Sequence, residues 1–228
     1  MNRAHLLFAA VLAALPLGAS ADGTVIAVEG AAALARNPQK VTVVEALPVQ
    51  AGDTLSVQRL SKVQLQFDDD SLFSVPGPAV FRIDAFDAPK AGPGRAVYTL
   101  TEGGVRTITG RVGKNAQDVY ELHTDLATVT VQGSAYAAVR CRTQCAGAKP
   151  GLYVRADQGL ITLTNGAGTL RVRPGETGYV DSPQSAPVRS PVSPFLDPVF
   201  ASGFTFDERI DTGREPRRIE QESPVSPS

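Results

Sequence analysis

The chain has 228 residues, 43% of them apolar, 20% charged and 6% aromatic, enough to bury a sizeable core as one domain with or without a tail. Its formal net charge of −1 excludes nucleic-acid binding by bulk electrostatics, which needs a basic surface. Its 21 Gly and 17 Pro exceed the average share of about 12% and argue for many turns and against a helical bundle. With 2 His and 2 Cys, most metal and nucleophile chemistries lack their parts.

Arg3 and His5 precede an apolar stretch over residues 6–17, and Ala19-Ser20-Ala21 forms an A-x-A cleavage site. This is the pattern of a secretory signal peptide over residues 1–21. The stretch is short of the roughly 20 apolar residues that a membrane span requires, and no later apolar run approaches that length. The mature chain is expected to begin at Asp22 and to lie in the periplasm, without a membrane span.

Residues 61–67 then alternate, with Val63, Leu65 and Phe67 on one face and Lys62, Gln64 and Gln66 on the other, the period of a half-buried strand. Phe81/Ile83, Val129/Val131, Ile161/Leu163 and Leu170/Val172 repeat the pattern against Arg, Asp and Thr. Gly52-Asp53, Pro76-Gly77-Pro78, Gly92-Pro93-Gly94, Gly103-Gly104, Pro150-Gly151, Asn165-Gly166 and Pro174-Gly175 punctuate these runs as turns. Residues 160–163, Asn165-Gly166 and residues 169–172 together predict a hairpin or a tight strand-to-strand corner. After residue 21 no 3.6-residue period persists. The fold class is all-β, with a dozen or more short strands.

Several residues invite a chemical reading. Asp68-Asp69-Asp70 does not match the alternating calcium-loop pattern, and consecutive carboxylates on a strand end diverge, so a turn with solvated acids is expected. His123, the one histidine of the mature chain, alternates with Leu122 and belongs to the outward polar set; no G-x-S-x-G elbow accompanies it. In an exported compartment Cys141 and Cys145 read as a disulfide. Four steps of extended strand would separate their Cα atoms by about 13 Å, and a bridge needs under about 7 Å, so a bridged 141–145 must turn. A redox-active pair and a metal site are the rival readings. They are disfavoured by the absence of C-x-x-C spacing and of two further ligands. No catalytic, cofactor or metal site is expected.

Composition shifts near Asp181. Residues 182–194 are Pro- and Ser-rich and read as an extended linker. Residues 195–206 form an aromatic island with Phe195, Phe200, Phe204 and Phe206, and residues 212–228 are charged and without aromatics. The island reads either as a segment folded back on the β domain or as a docking peptide for a partner. The expected division is a signal peptide over 1–21, a β domain over 22–181, and linker, island and disordered tail over 182–228.

The order of these elements resembles the FecR-type periplasmic domain. Gly52-Asp53-Thr54-Leu55 is similar to its Gly-Asp turn, and Leu65-Gln66-Phe67-Asp68-Asp69-Asp70-Ser71 to its strand and Asp-Gly-Ser corner, with Asp70 in place of Gly. Gly103-Gly104-Val105-Arg106 resembles its Gly, Val-Arg step. Val131-Gln132-Gly133-Ser134-Ala135-Tyr136 resembles its Val-Arg-Gly-Thr-x-Phe strand, with Gln132 and Ser134 replacing Arg and Thr, and Arg173-Pro174-Gly175-Glu176 its Pro-Gly-Glu turn. The resemblance covers residues 24–181 and implies the β domain, as a compact roll or solenoid of many short strands. It does not extend to the family's anti-sigma segment, membrane span or C-terminal docking module, and so does not imply sigma-factor signalling.

The expected function is that of an exported, non-enzymatic envelope protein that binds another envelope protein as scaffold or regulator, through its flat sheet faces or its aromatic island. Peptidoglycan or glycan binding by the Thr-, Gln- and Arg-rich outer face is the alternative, weakened by the absence of Trp.

Overall fold

The computed structural model describes residues 21–143, 145, 147–191 and 205. The signal-peptide residues 1–20 and the island residues Phe195, Phe200, Phe204 and Phe206 lie outside the described residues. Among those described, every regular element is a strand, so no helix is long and apolar enough to cross a membrane.

The fifteen strands, in chain order, are β1 (Gly23–Glu29), β2 (Ala32–Arg36), β3 (Gln39–Thr42), β4 (Pro48–Val49), β5 (Thr54–Val57), β6 (Lys62–Phe67), β7 (Leu72–Pro76), β8 (Ala79–Asp87), β9 (Arg95–Ile108), β10 (Val119–His123), β11 (Thr128–Cys141), β12 (Gly151–Asn165), β13 (Gly168–Val172), β14 (Thr177–Val180) and β15 (Val188–Arg189). The all-β class is as the alternation predicts. The predicted hairpin is β12–β13, with Asn165 opposite Gly168; the Asn165 side-chain oxygen accepts hydrogen bonds from the Ala167 and Gly168 amides and closes the turn.

Three strands are longer than a roll of short strands would have. β9, β11 and β12 have 14, 14 and 15 residues, and each contains a glycine at positive φ: Gly103 (88°), Gly133 (58°) and Gly159 (72°). Gly103 is therefore not a turn between strands, as its Gly-Gly dipeptide suggested, but a bend inside one. On its N-terminal side β9 pairs with β8 and, in parallel, with β10; on its C-terminal side it pairs with β7 and β11. The bends carry three strands from one layer into the other. One layer runs β4-β1-β6-β7, the second half of β9 and of β11, the first half of β12, β14 and β15. The other runs β3-β2-β5-β8, the first half of β9, β10, the first half of β11, the second half of β12 and β13.

The core lies between the layers. Val63, Leu65, Phe67, Phe73 and Val75 come from the first, and Leu55, Phe81, Ile83, Leu100, Leu122, Val129, Ile161 and Leu163 from the second. An aromatic chain ties them: Phe73 packs on Phe67, Phe81 and Tyr98 at centroid distances of 5.2, 5.6 and 4.8 Å, and Tyr120 links Tyr98 to Tyr136.

Two expectations are corrected. The Asp68-Asp69-Asp70 corner is a turn with Asp68 and Asp70 exposed, as expected, but its middle acid is not solvated. Asp70 takes positive φ (68°), as Asp tolerates better than most residues. Asp69 is fully buried, and its carboxylate accepts from the amides of Ser71 (3.0 Å) and Val112 (3.1 Å). Its two oxygens give orphan backbone donors the acceptor they need in a dry interior. Residues 182–190 are likewise not a free linker. The Ser182 and Ser185 carbonyls accept from the Asn165 amide, and β15 pairs with β14, so the folded unit continues past Asp181.

Candidate functional site

The face of the first layer that points away from the core carries an unbroken cross-strand row. Gln64 on β6 lies opposite Ser74 on β7, Ser74 opposite Arg106 on β9, Arg106 opposite Ala137 on β11, Ala137 opposite Arg155 on β12, and Arg155 opposite Thr177 on β14. Directly opposed residues share a face, and the alternation that sends Val63, Leu65 and Phe73 into the core sends this row outward.

Sequence alternation reads the row as solvated, and the structure corrects that. Gln64, Ser74 and Ala137 are all 0% exposed. The Gln64 side-chain amide donates from Nε2 to the main-chain carbonyl of Thr205 at 3.0 Å. Beside Ala137, Arg155 and Arg106 both aim Nε at Asp157, at 2.9 and 3.3 Å.

A second row, Gly104, Val139, Tyr153, Tyr179 and Val188, runs beside the first. Here Ala137, Val139, Cys141, Cys145 and Tyr153 form a small core of their own, with Ala148 and Tyr179 packed on it. Cys141 and Cys145 are bridged across a turn, Cα–Cα 5.6 Å, the turn that a bridge at this spacing demands. Beyond the bridged loop, in the same β11–β12 connection, the Lys149 and Pro150 carbonyls accept from the hydroxyls of Tyr153 and Tyr179 at 2.8 and 2.7 Å. The two rings pack tilted against each other, centroids 4.7 Å apart. Burial, and then the neighbouring tyrosine, raises the Tyr153 hydroxyl above its ordinary value; burial, and then Asp181, does the same for Tyr179. Both stay neutral donors at physiological pH.

This two-sided burial was legible in part. Ala135-Tyr136-Ala137-Ala138-Val139 and Leu152-Tyr153-Val154 are continuous apolar runs, the mark of strands covered on both faces. Nothing local in Lys62-Val63-Gln64-Leu65 reports that Gln64 is covered.

The remaining candidates serve the fold. His123 sits half-exposed on β10, with Nε2 2.8 Å from Glu121 Oε2. A cleft of ≈330 Å³ between residues 89–94 and 111–118 is lined by Lys90, Arg111, Lys114 and Asp118. Arg111 donates to the Pro89 and Asp68 carbonyls, and Asp118 accepts from the Gly94, Gly113 and Asn115 amides, so both hold the loops together. Among the described residues no three or more His, Cys, Asp or Glu gather as a metal would require. β3 pairs with β2 alone and exposes all four residues; Lys40 on it is the kind of residue that blunts an open edge.

No family model matches the chain, and no curated protein does. Two crystal structures of a protein from Parabacteroides distasonis, described provisionally as an anti-sigma factor, are similar to it. Each has 14% sequence identity and a TM-score of 0.47, over 60% of this chain and 58% of the other. The chain thus spans 58% of the length of the structures it matches.

Proposed function

We propose that this is an exported, non-enzymatic, FecR-like envelope protein that binds another envelope protein, as scaffold or regulator, on the outward face of its first layer. The observation that carries the reading is the Gln64 amide. It is fully buried on the side away from the core and donates to a main-chain carbonyl. A side-chain amide that reads a peptide carbonyl recognises backbone, which suits a polypeptide ligand rather than a sugar. Tyr179, half-buried on the same face and packed on the buried Tyr153 ring, is an aromatic side chain of the type enriched in protein interfaces. The leader pattern of residues 1–21 supports export, and the FecR resemblance supports a regulatory setting.

The test is site-specific photo-cross-linking in intact cells, with the reactive group at Arg106 or Tyr179 on the face and at Lys40 on the β3 edge as control. One envelope protein captured from the face positions and not from Lys40 is expected. Capture from Lys40 alone, or co-sedimentation with purified sacculi without any protein captured, overturns the reading. A saturable hydrolytic activity lost in His123→Ala overturns its non-enzymatic part.

A further inference from the structure

Gln64 and Ser74 are polar, fully buried, and on the side of the sheet away from the core. A buried amide needs a partner, and the partner that Gln64 has is 141 residues further along the chain. The Gln64–Thr205 hydrogen bond therefore places a point of the C-terminal segment on β6.

Chain length agrees. From the end of β15 to β6 the sheet path is β14, β12, β11, β9, β7, β6. Six inter-strand steps of about 4.8 Å give roughly 29 Å. The stretch from Pro191 to Thr205 reaches at most about 46 Å when extended, so it crosses that distance with slack for a shallow curve. The straight line between these two points follows the cross-strand row. Chemistry agrees as well: this stretch carries Phe195, Leu196, Val199, Phe200 and Phe204 with a single acid, Asp197, against a row whose middle is small, apolar and fully buried (Ala137).

We propose that residues 192–206 run back across the outward face from β15 to β6 and occupy it in cis, so that the aromatic island is the face's own ligand and a partner docking there competes with it. The competition clause rests on the function proposed above; occupancy in cis does not.

The test uses the full mature chain. Chymotryptic cleavage at Phe195, Phe200, Phe204 and Phe206 is followed by mass spectrometry beside a synthetic peptide of residues 192–210. Cleavage reports the population of the undocked segment, and it is expected to be at least about tenfold slower in the chain than in the peptide. Gln64→Glu replaces the amide donor with an acceptor and should speed cleavage severalfold without shifting the melting midpoint of the body. A second readout does not depend on that variant folding well: Gln64→Cys with Thr205→Cys, joined by a short bifunctional thiol cross-linker. An intrachain product at every protein concentration supports the proposal. Cleavage as fast as in the free peptide, or products only between chains, as a second copy on the face would give, overturns it. Partner capture is read separately: a protected tail without a captured partner leaves cis occupancy standing and removes the function.

Discussion

Arg36 holds both carboxylate oxygens of Asp53, Nε to Oδ1 and Nη2 to Oδ2 at 2.7 Å each, and the Asp53 side chain is entirely buried while Arg36 remains partly exposed. The same carboxylate accepts the Gln50 amide at 2.8 Å. Asp53 is the second residue of a Gly-Asp turn, and its side chain fastens that turn to the end of β2. The paired carboxylate in turn holds the Arg36 guanidinium above its ordinary value.

Because the fork is bidentate, its geometry matters as much as its charge. Asp53→Ala is expected to cost about 2–4 kcal/mol, since the Gln50 amide and the guanidinium lose their acceptor together. Arg36→Lys should recover only part of the loss of Arg36→Ala. Urea unfolding of the three variants checks this; equal stability of Arg36→Lys and wild type would show that charge alone suffices.

The bend in β9 gives a comparison of two glycines with nearly the same φ. A Cβ on Gly103 (φ +88°) would run into the Pro78 carbonyl oxygen, whereas one on Gly175 (φ +83°) meets nothing within 4 Å. Gly175→Ala should cost only the left-handed backbone term, about 1–2 kcal/mol. Gly103→Ala adds a clash with backbone that cannot move aside, and should exceed it by several kcal/mol or prevent folding. Parallel thermal melts decide; similar midpoints would mean that β8 and β9 separate easily at this point.

These residues mark what the sequence could and could not disclose. Strand alternation and turn dipeptides are local, so β6, β8 and the β12–β13 hairpin were readable, as was the 141–145 turn from the spacing of its two cysteines. Gly103, Gly133 and Gly159 signal a break in the strand pattern, but whether the chain turns back or only bends depends on partners far along the chain. The burial of Gln64 and of Asp69 depends on such partners too, Thr205 in one case and Val112 in the other. No window of sequence around either residue contains them.

The aromatic core separates packing from polarity. Phe73 is fully buried among Phe67, Phe81 and Tyr98, and Phe73→Ala should cost about 3–5 kcal/mol. The Tyr98 hydroxyl, by contrast, is buried beside the Ser71 side chain without a hydrogen bond of good geometry, and burial drives its ionisation far above the usual tyrosine range. Tyr98→Phe removes an uncompensated polar atom and should be neutral or stabilising by up to about 1 kcal/mol. Denaturant titration reads both; a clear loss in Tyr98→Phe would mean that the hydroxyl has a partner in solution.

Asp118 sets an acid dependence. Burial alone would raise its carboxyl, but amides from Gly94, Asn115, Gly113 and Lys114 outweigh it and lower the value below that of an ordinary Asp. A carboxyl depressed in the folded state adds stability that is complete above its unfolded value, about 3.9, and is lost as pH falls through the folded value. The gap between wild type and Asp118→Asn should be constant from about pH 7 to pH 5 and narrow below about pH 4. A gap that widens with acid would reverse the assigned sign.

The disulfide is expected to matter locally more than globally. It closes a loop of sequence separation 4, for which chain entropy gives at most about 2 kcal/mol, or a fall in melting temperature of roughly 4–8 °C for a domain of this size. Yet the connection that continues from the bridged loop into β12 supplies the Lys149 and Pro150 carbonyls that hold Tyr153 and Tyr179, so its loosening should be felt on the outward face. Cys141→Ser with Cys145→Ser should therefore leave a cooperative melt only slightly lowered, while amide exchange rises in β14 and in residues 142–151 and stays unchanged in β5 and β8. A uniform rise across both layers would instead make the bridge a global staple, with the small core around Val139 too weak to stand without it.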